Sequence, residues 1–291
     1  MKAYKYGMDD VAIVDIKYTR WKPMRRRQLL KVLAFGIMQP DRMILMSARA
    51  VDPCLATPLT DRAEEMLRPA IVLKGRDFKL MQQTVKRLER LQAYVGYGNF
   101  NFLGVDQALR FAKTSPSVCA FTRFETDFLE AIFFADATRY GFMGDKVSSE
   151  MTETISERDL VKVPNSGHYL FRGESFNLYR RLQKDVGPNL ILTSGVRGIV
   201  KQMYLFLSKA ISTQGNLSAA SRDLAPPGHS YHGVGDFDIG KRGFGLENFS
   251  DTFAETEEFK SLLNLGYAHI RYPYDNPYGV RYEPWHIRVA L

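Results

Sequence analysis

The chain has 291 residues, 45% of them apolar and 25% charged, a balance that excludes disordered and collagen-like classes and leaves ample length for a buried core. Its formal charge of +8 is unevenly spread: five Lys, six Arg and four Asp give residues 1–50 a net +7, leaving only +1 for 51–291. A protein that grips phosphate backbones carries its basic surface on the folded domain, so nucleic acid is not an expected partner.

In chain order, the first feature is "MRRRQLLKVLAFGIM" at 24–38, a basic run followed by a short apolar one, which is the layout of an export signal. Arg26, Arg27, Leu29, Leu30 and Lys31 resemble the twin-arginine signal, which implies export of an already folded protein to the periplasm or cell envelope. Met24 directly precedes the arginines and is the expected true start. "QPDR" at 39–42 cuts the apolar run, which resumes in "MILMSARA" and ends small-x-small at Ala48 and Ala50. The chain has no run of eighteen apolar residues, so no membrane-spanning helix is expected. The two cysteines, Cys54 and Cys119, make neither a disulfide framework nor a Cys-x-x-Cys zinc pair.

Residues 51–155 read as a mostly helical region. In "FKLMQQTVKRLERLQAYV" the apolar Met81, Val85, Leu88, Leu91 and Val95 recur at spacings of three and four, which predicts one buried stripe. "DFLEAIFFADATRYGF" repeats the pattern with Leu129, Phe133, Ala137 and Tyr140, and Gly141 is placed to end a helix. Beyond about residue 155 the texture changes to α+β: a small antiparallel sheet with flanking helices over 156–291. "NLILTSGV" (189–196) predicts a short buried strand and a tight glycine turn. "RGIVKQMYLFLSKAIS" predicts a helix with Ile199, Met203, Leu207 and Ala210 on one face, and "AETEEFKSLLNLGY" another closed by Gly266. The C-terminus reads as a hairpin, "YAHIRYPY" and "VRYEPWHIRVAL" around "DNPYG".

The chemistry concentrates in "HSYHGVGDFDIG", residues 229–240. Turns favour Gly and Asp but do not call for His. Hydrolytic zinc sites use three protein ligands, commonly His and carboxylate, and keep one position open. His232 and Asp238 can converge if the glycines between them allow a sharp fold. His286 is the best third ligand, and Glu283 lies three residues before it. In a flat strand these two would face opposite sides, whereas Pro284 favours a bend that brings both to one cavity. His168 in "NSGHYLFRG" can border the cleft without an assigned role, and His269 reads as a structural strand residue.

"SYHGVGDFDIG" resembles the Ser-x-His-x-x-Gly…Asp motif of the zinc D-alanyl-D-alanine carboxypeptidase family. These are LAS-type metallopeptidases that include vancomycin-resistance D,D-peptidases and phage endolysins. "EPWHIR" is similar to the family's Glu-x-x-His, and "TSGVRGIVKQ" to its Ser-Gly-x-Arg…Gln, in the family's order over roughly 160–291. The resemblance implies a LAS-type zinc peptidase domain with Zn2+ on His232, Asp238 and His286, and Glu283 as general base. By the same resemblance Arg197 stabilises the oxyanion and Ser230 lines the substrate pocket. The His-to-Asp spacing is one residue shorter than the family's, which is read as a deletion that keeps Asp238 as ligand. Asp236 is the fallback, seven residues after His229. The implied substrate is the peptidoglycan stem peptide, cleaved at a terminal D-alanyl-D-alanine bond. Its rivals are an endopeptidase on the same site and a non-catalytic, zinc-stabilised cell-wall or protein-binding module.

Overall fold

The computed structural model describes residues 70–289; the segment 24–50 read as an export signal, Cys54 and the part of the expected helical region at 51–69 lie outside the described residues. Helix α1 (Gly75–Val95) buries Met81, Val85, Leu88 and Leu91, as the three-and-four spacing predicts, with Val95 half-buried at its end. Two shorter helices follow, α2 (Tyr97–Phe100) and α3 (Val105–Thr114). Helix α4 (Arg123–Phe134) starts at a capping box in which the Glu125 amide donates to Thr122 Oγ1 at 3.2 Å and the Thr122 amide to Glu125 Oε2 at 2.7 Å. Arg87 of α1 donates to both oxygens of the buried Glu125, which ties the two helices together.

The continuous helix expected through Tyr140 is broken. Helix α4 stops at Phe134, and Asp136 accepts the Thr138 amide at 3.0 Å to cap a separate 3-10 turn, Ala137–Tyr140. A short Asp side chain offers backbone amides an alternative to the helical ladder, which is the physical reason for the break. Leu129, Phe133, Ala137 and Tyr140 are all buried nonetheless.

A two-stranded hairpin, β1 (Leu160–Lys162) and β2 (Tyr169–Phe171), leads into helix α5 (Glu174–Val186) and strand β3 (Leu190–Ser194). Helices α6 (Ile199–Ser212) and α7 (Leu217–Asp223) precede strand β4 (Phe237–Lys241). Helix α8 (Glu257–Leu263) and strands β5 (His269–Tyr272) and β6 (Glu283–Arg288) complete the described chain. Helix α8 ends three residues before Gly266, short of its expected limit. The C-terminal hairpin is joined by residues 273–282 rather than a tight turn; Asn276 Nδ2 pins this loop by donating to the carbonyls of Pro273 and Val280 at 2.7 and 2.9 Å.

The four-stranded sheet has the order β3-β4-β6-β5, every neighbour antiparallel. One face carries Phe237, Ile239, Trp285 and Ile287 into a core shared with Leu182 of α5 and Leu262 of α8. Strand side chains alternate, so the residues between these, Asp238 and His286, belong to the opposite face. Register pairs Ser194 with Asp238 and Asp238 with His286, forming one row across three strands. Among the described residues no helix is long and apolar enough to cross a membrane.

A candidate metal centre on the sheet

Two structural features close the site. Gly235 adopts φ 141°, a value that L side chains rarely take, and lets the chain double back from the 3-10 turn Tyr231–Gly233 into β4. On β6 the register slips between the Ile270–Ile287 and Tyr272–Glu283 pairs. The resulting bulge turns Glu283 onto the face of His286, and Glu283 Oε2 lies 3.3 Å from His286 Nδ1.

His232 Nε2 stands 3.2 Å from Asp238 Oδ1, and His286 Nδ1 lies 3.4 Å from the same oxygen. One donor atom from each of His232, Asp238 and His286 falls within 4.8 Å of the others, and all three residues are buried. His232 Nε2 and Asp238 Oδ1 have no hydrogen-bond partner although both are buried. Orphaned buried donors and acceptors are costly, and a shared divalent cation relieves both at once. Two imidazoles and one carboxylate are the donor set of a catalytic zinc site with an open position, so the residues present fit the ion.

The outward nitrogens of both imidazoles are held. His232 Nδ1 lies 2.7 Å from the Gly195 carbonyl and donates to it, which leaves Nε2 as a lone-pair donor. His286 Nε2 lies 3.0 Å from Asp236 Oδ2 and donates there, directing Nδ1 at the cluster. Asp236 also binds Arg271 through both oxygens and accepts the Val289 amide at 2.9 Å. Asp236 is therefore the partner behind His286 and is not paired with His229, whose Nδ1 lies 3.1 Å from the Asp145 carbonyl. Sequence reading had Asp236 only as a substitute ligand; its position comes from a contact with a residue fifty positions later in the chain. Carboxylate partners of metal-bound histidines typically contribute 10–100-fold to affinity. Asp236→Asn is expected to weaken zinc binding by about that factor, as read by competition with a chromophoric chelator.

Charge and burial tune the cluster. Burial alone would push Asp236 up, but hydrogen bonds from His286 and Arg271 hold it below the ordinary carboxylate range. Burial likewise opposes ionisation of Asp238, yet His232 and Arg197 bring it well down. Burial and the nearby Arg197 guanidinium lower His232 to about 4, which keeps it neutral and ligand-ready. His286 goes the other way: against burial, hydrogen bonds to Asp236 and Glu283 raise it to about 9. Burial raises Glu283 above its usual value, toward the range of a useful acid–base group.

Arg197 donates through Nε to Ser194 Oγ at 2.9 Å and through a terminal nitrogen to Asp238 Oδ2, which leaves Oδ1 turned to the histidines. A cavity of about 370 Å3 opens over the cluster, lined by His232, Asp238, His286, Glu283, Arg197 and Ser230. The structure thus brings together all six residues singled out in the sequence. It adds Gly195 and, in the cavity wall, Lys201; His168 also lines the cavity, the border position expected for it, and Asp236 stands behind His286. His269 is exposed at the start of β5.

Gly195 has a second constraint. A Cβ there would sit 2.0 Å from the backbone carbonyl oxygen of Tyr169, whose position is fixed by the Val196 amide at 2.8 Å. Gly195→Ala must push strand β2 away from the segment that carries the His232 acceptor. Thermal denaturation is expected to show a loss of at least about 1–3 kcal/mol, typical of overpacking.

Residues 174–290 match the family model for VanY, D-alanyl-D-alanine carboxypeptidase. No curated protein matches the chain. Among solved structures, the LdcB LD-carboxypeptidase is similar at 24% identity and TM-score 0.40, over 46% of this chain and 69% of that one. The vancomycin resistance D,D-pentapeptidase VanY in complex with Zn(II) gives 26% identity and TM-score 0.33, over 45% and 77% of the two chains. VanYB in complex with D-alanine-D-alanine gives 25% and 0.35, over 49% and 81%. The motifs in order and the histidines and carboxylates gathered on one sheet face thus lie within the part of this chain, residues 174–290, that is similar to the VanY D-alanyl-D-alanine carboxypeptidase family.

Proposed function

We propose that the protein is a zinc-dependent peptidase that hydrolyses peptidoglycan stem peptides, cutting a terminal D-alanyl-D-alanine bond outside the cytoplasm, where that polymer lies. The observation that carries this reading is the convergence of His232 Nε2, Asp238 Oδ1 and His286 Nδ1 within 4.8 Å, with the Glu283 carboxyl beside them in a cavity. His232, Asp238 and His286 would hold the ion. Zinc supplies there a Lewis acid and a water whose pKa falls to about 7.

Glu283 takes the proton of the attacking water and delivers it to the leaving amine. Its buried position suits both halves of that task, because the raised pKa makes the carboxyl a competent acid after it has served as base. Arg197, anchored by Ser194 and Asp238, presents its guanidinium to the carbonyl oxygen as charge develops, a contribution typically of about 3–4 kcal/mol. Ser230 is buried in the cavity wall and contacts the peptide there. Export through the 24–50 segment delivers the protein to its substrate.

Incubation of the zinc-loaded full chain with purified muropeptides, followed by mass spectrometry, tests the reading. Loss of one alanine from pentapeptide stems is the expected result. A stem split internally would replace it with an endopeptidase, and unchanged muropeptides would leave a binding module. The buried carboxyl at Glu283 argues for the enzyme, since a binder needs no base next to its metal.

A further inference from the structure

The metal cluster is carried on two arms that are remote along the chain. One is the loop 228–236, which bears His232; the other is the segment 278–286, which bears Glu283 and His286. Strands β4 and β6 join the arms at the ligand end, where Asp238 pairs with His286. At the far end, where those strands are not paired, a third segment touches both arms. It is 141–148, which precedes the part of the chain similar to the VanY family.

Against the first arm, the amides of Val147 and Ser148 both donate to the Gly228 carbonyl, at 2.8 and 2.9 Å. His229 Nδ1 donates to the Asp145 carbonyl at 3.1 Å, and the Tyr231 hydroxyl donates to Asp145 Oδ2 at 3.4 Å. Against the second arm, the Met143 amide donates to the Tyr278 carbonyl at 2.9 Å. The backbones also meet directly: a Cβ on Gly279 would sit 1.9 Å from the Gly141 carbonyl oxygen. Close-packed contacts of this kind have low compressibility and transmit displacement.

Phe142 sits between the arms and is fully buried. Its ring meets the His229 imidazole edge-on at 5.3 Å, three residues before His232. It shares a small apolar cluster with Tyr272 and with Val280, three residues before Glu283. Tyr272 in turn lies edge-on to the His286 imidazole at 4.9 Å. Ligands held in place beforehand lose less freedom when an ion binds. We propose that the segment 141–148 is a strap that locks the two arms together before the ion arrives, with Phe142 as a positioning residue of the metal centre. This rests on the metal-site reading above and extends that site to a part of the chain outside the family match.

Amide hydrogen exchange on the ion-free full chain tests the strap. The reporters are the Gly235 and Asp236 amides, both bonded to the Tyr231 carbonyl at 3.1 Å, and the Arg281 amide, bonded to the Arg222 carbonyl at 3.0 Å. Gly279→Ala, at φ 73°, drives a methyl into the Gly141 carbonyl; Gly266→Ala, at φ 66°, adds similar backbone strain with nothing within 4 Å of its Cβ. Relative to Gly266→Ala, Gly279→Ala is expected to speed exchange on both arms about tenfold, within the range of overpacking, and to leave α1 unchanged. Zinc affinity, read by chelator competition, is expected to fall about three- to thirtyfold in the same comparison, the size of coupling carried by residues that touch no ligand. Phe142→Ala is expected to act in the same direction and Phe142→Leu to restore most of the loss. Equal exchange in the two glycine variants, or acceleration that extends equally to α1, overturns the strap. Faster exchange with undiminished zinc affinity overturns the positioning role. Failure of the wild-type chain to bind zinc counts against the metal-site reading alone, because the exchange comparison is made without the ion.

Discussion

Replacing Glu283 by Gln is expected to lower kcat of the zinc-loaded protein by about 10²–10⁴-fold, the usual contribution of a positioned acid–base group. The amide has nearly the shape of the carboxyl but cannot accept the water's proton. The proposed metal ligands are expected to remain in place: His286 keeps its bond to Asp236, and His232 keeps its bond to the Gly195 carbonyl. The variant should therefore bind one zinc per chain, measured by atomic emission on dialysed protein, while its muropeptide turnover collapses. Cleavage at the wild-type rate would show that Glu283 is not the base. Loss of zinc together with activity would make it part of the metal-holding set instead.

Asp238→Asn has the other large effect. Asp238 is the hub of the cluster: Oδ1 faces both histidines and Oδ2 takes Arg197. An amide of the same size removes the negative charge that offsets a divalent cation, and it leaves Arg197 buried beside a weaker acceptor. Zinc binding should fall by more than the 10–100-fold expected for a supporting residue. Thermal scans give the readout. For wild-type protein, free zinc at about 100 times Kd adds about 2.7 kcal/mol, a rise in Tm of about 5–10 °C for a domain of this size. Asp238→Asn should show no zinc-dependent rise at that concentration. An undiminished rise would place the ion elsewhere.

The six residues proposed for the site could be picked out before any fold was known because spacing within each short motif is local and the chemistry is distinctive. His232, Gly235 and Asp238 lie within seven positions, and Glu283 and His286 within four. The buried stripes of α1 and α6 were readable for a related reason, since helical periodicity is written into neighbouring residues. The break in the helix at Asp136 was not, because capping and continuation compete by small free energies that the apolar pattern does not register. The ten-residue loop between β5 and β6 was likewise hidden behind a stretch rich in turn residues.

Long-range partners were beyond reach for a different reason. Nothing local says that Asp236 stands behind His286 fifty residues later, that the Gly195 carbonyl orients His232, or that Gly279 abuts the Gly141 carbonyl. By itself, then, the sequence determined which side chains can make a metal centre and which faces of the helices are buried, because both depend on residue type and short-range spacing. Only the tertiary structure decided which nitrogen of each imidazole points inward and which remote groups stand behind it. Those properties depend on sheet register and on the β6 bulge, which bring into contact groups that are remote along the chain.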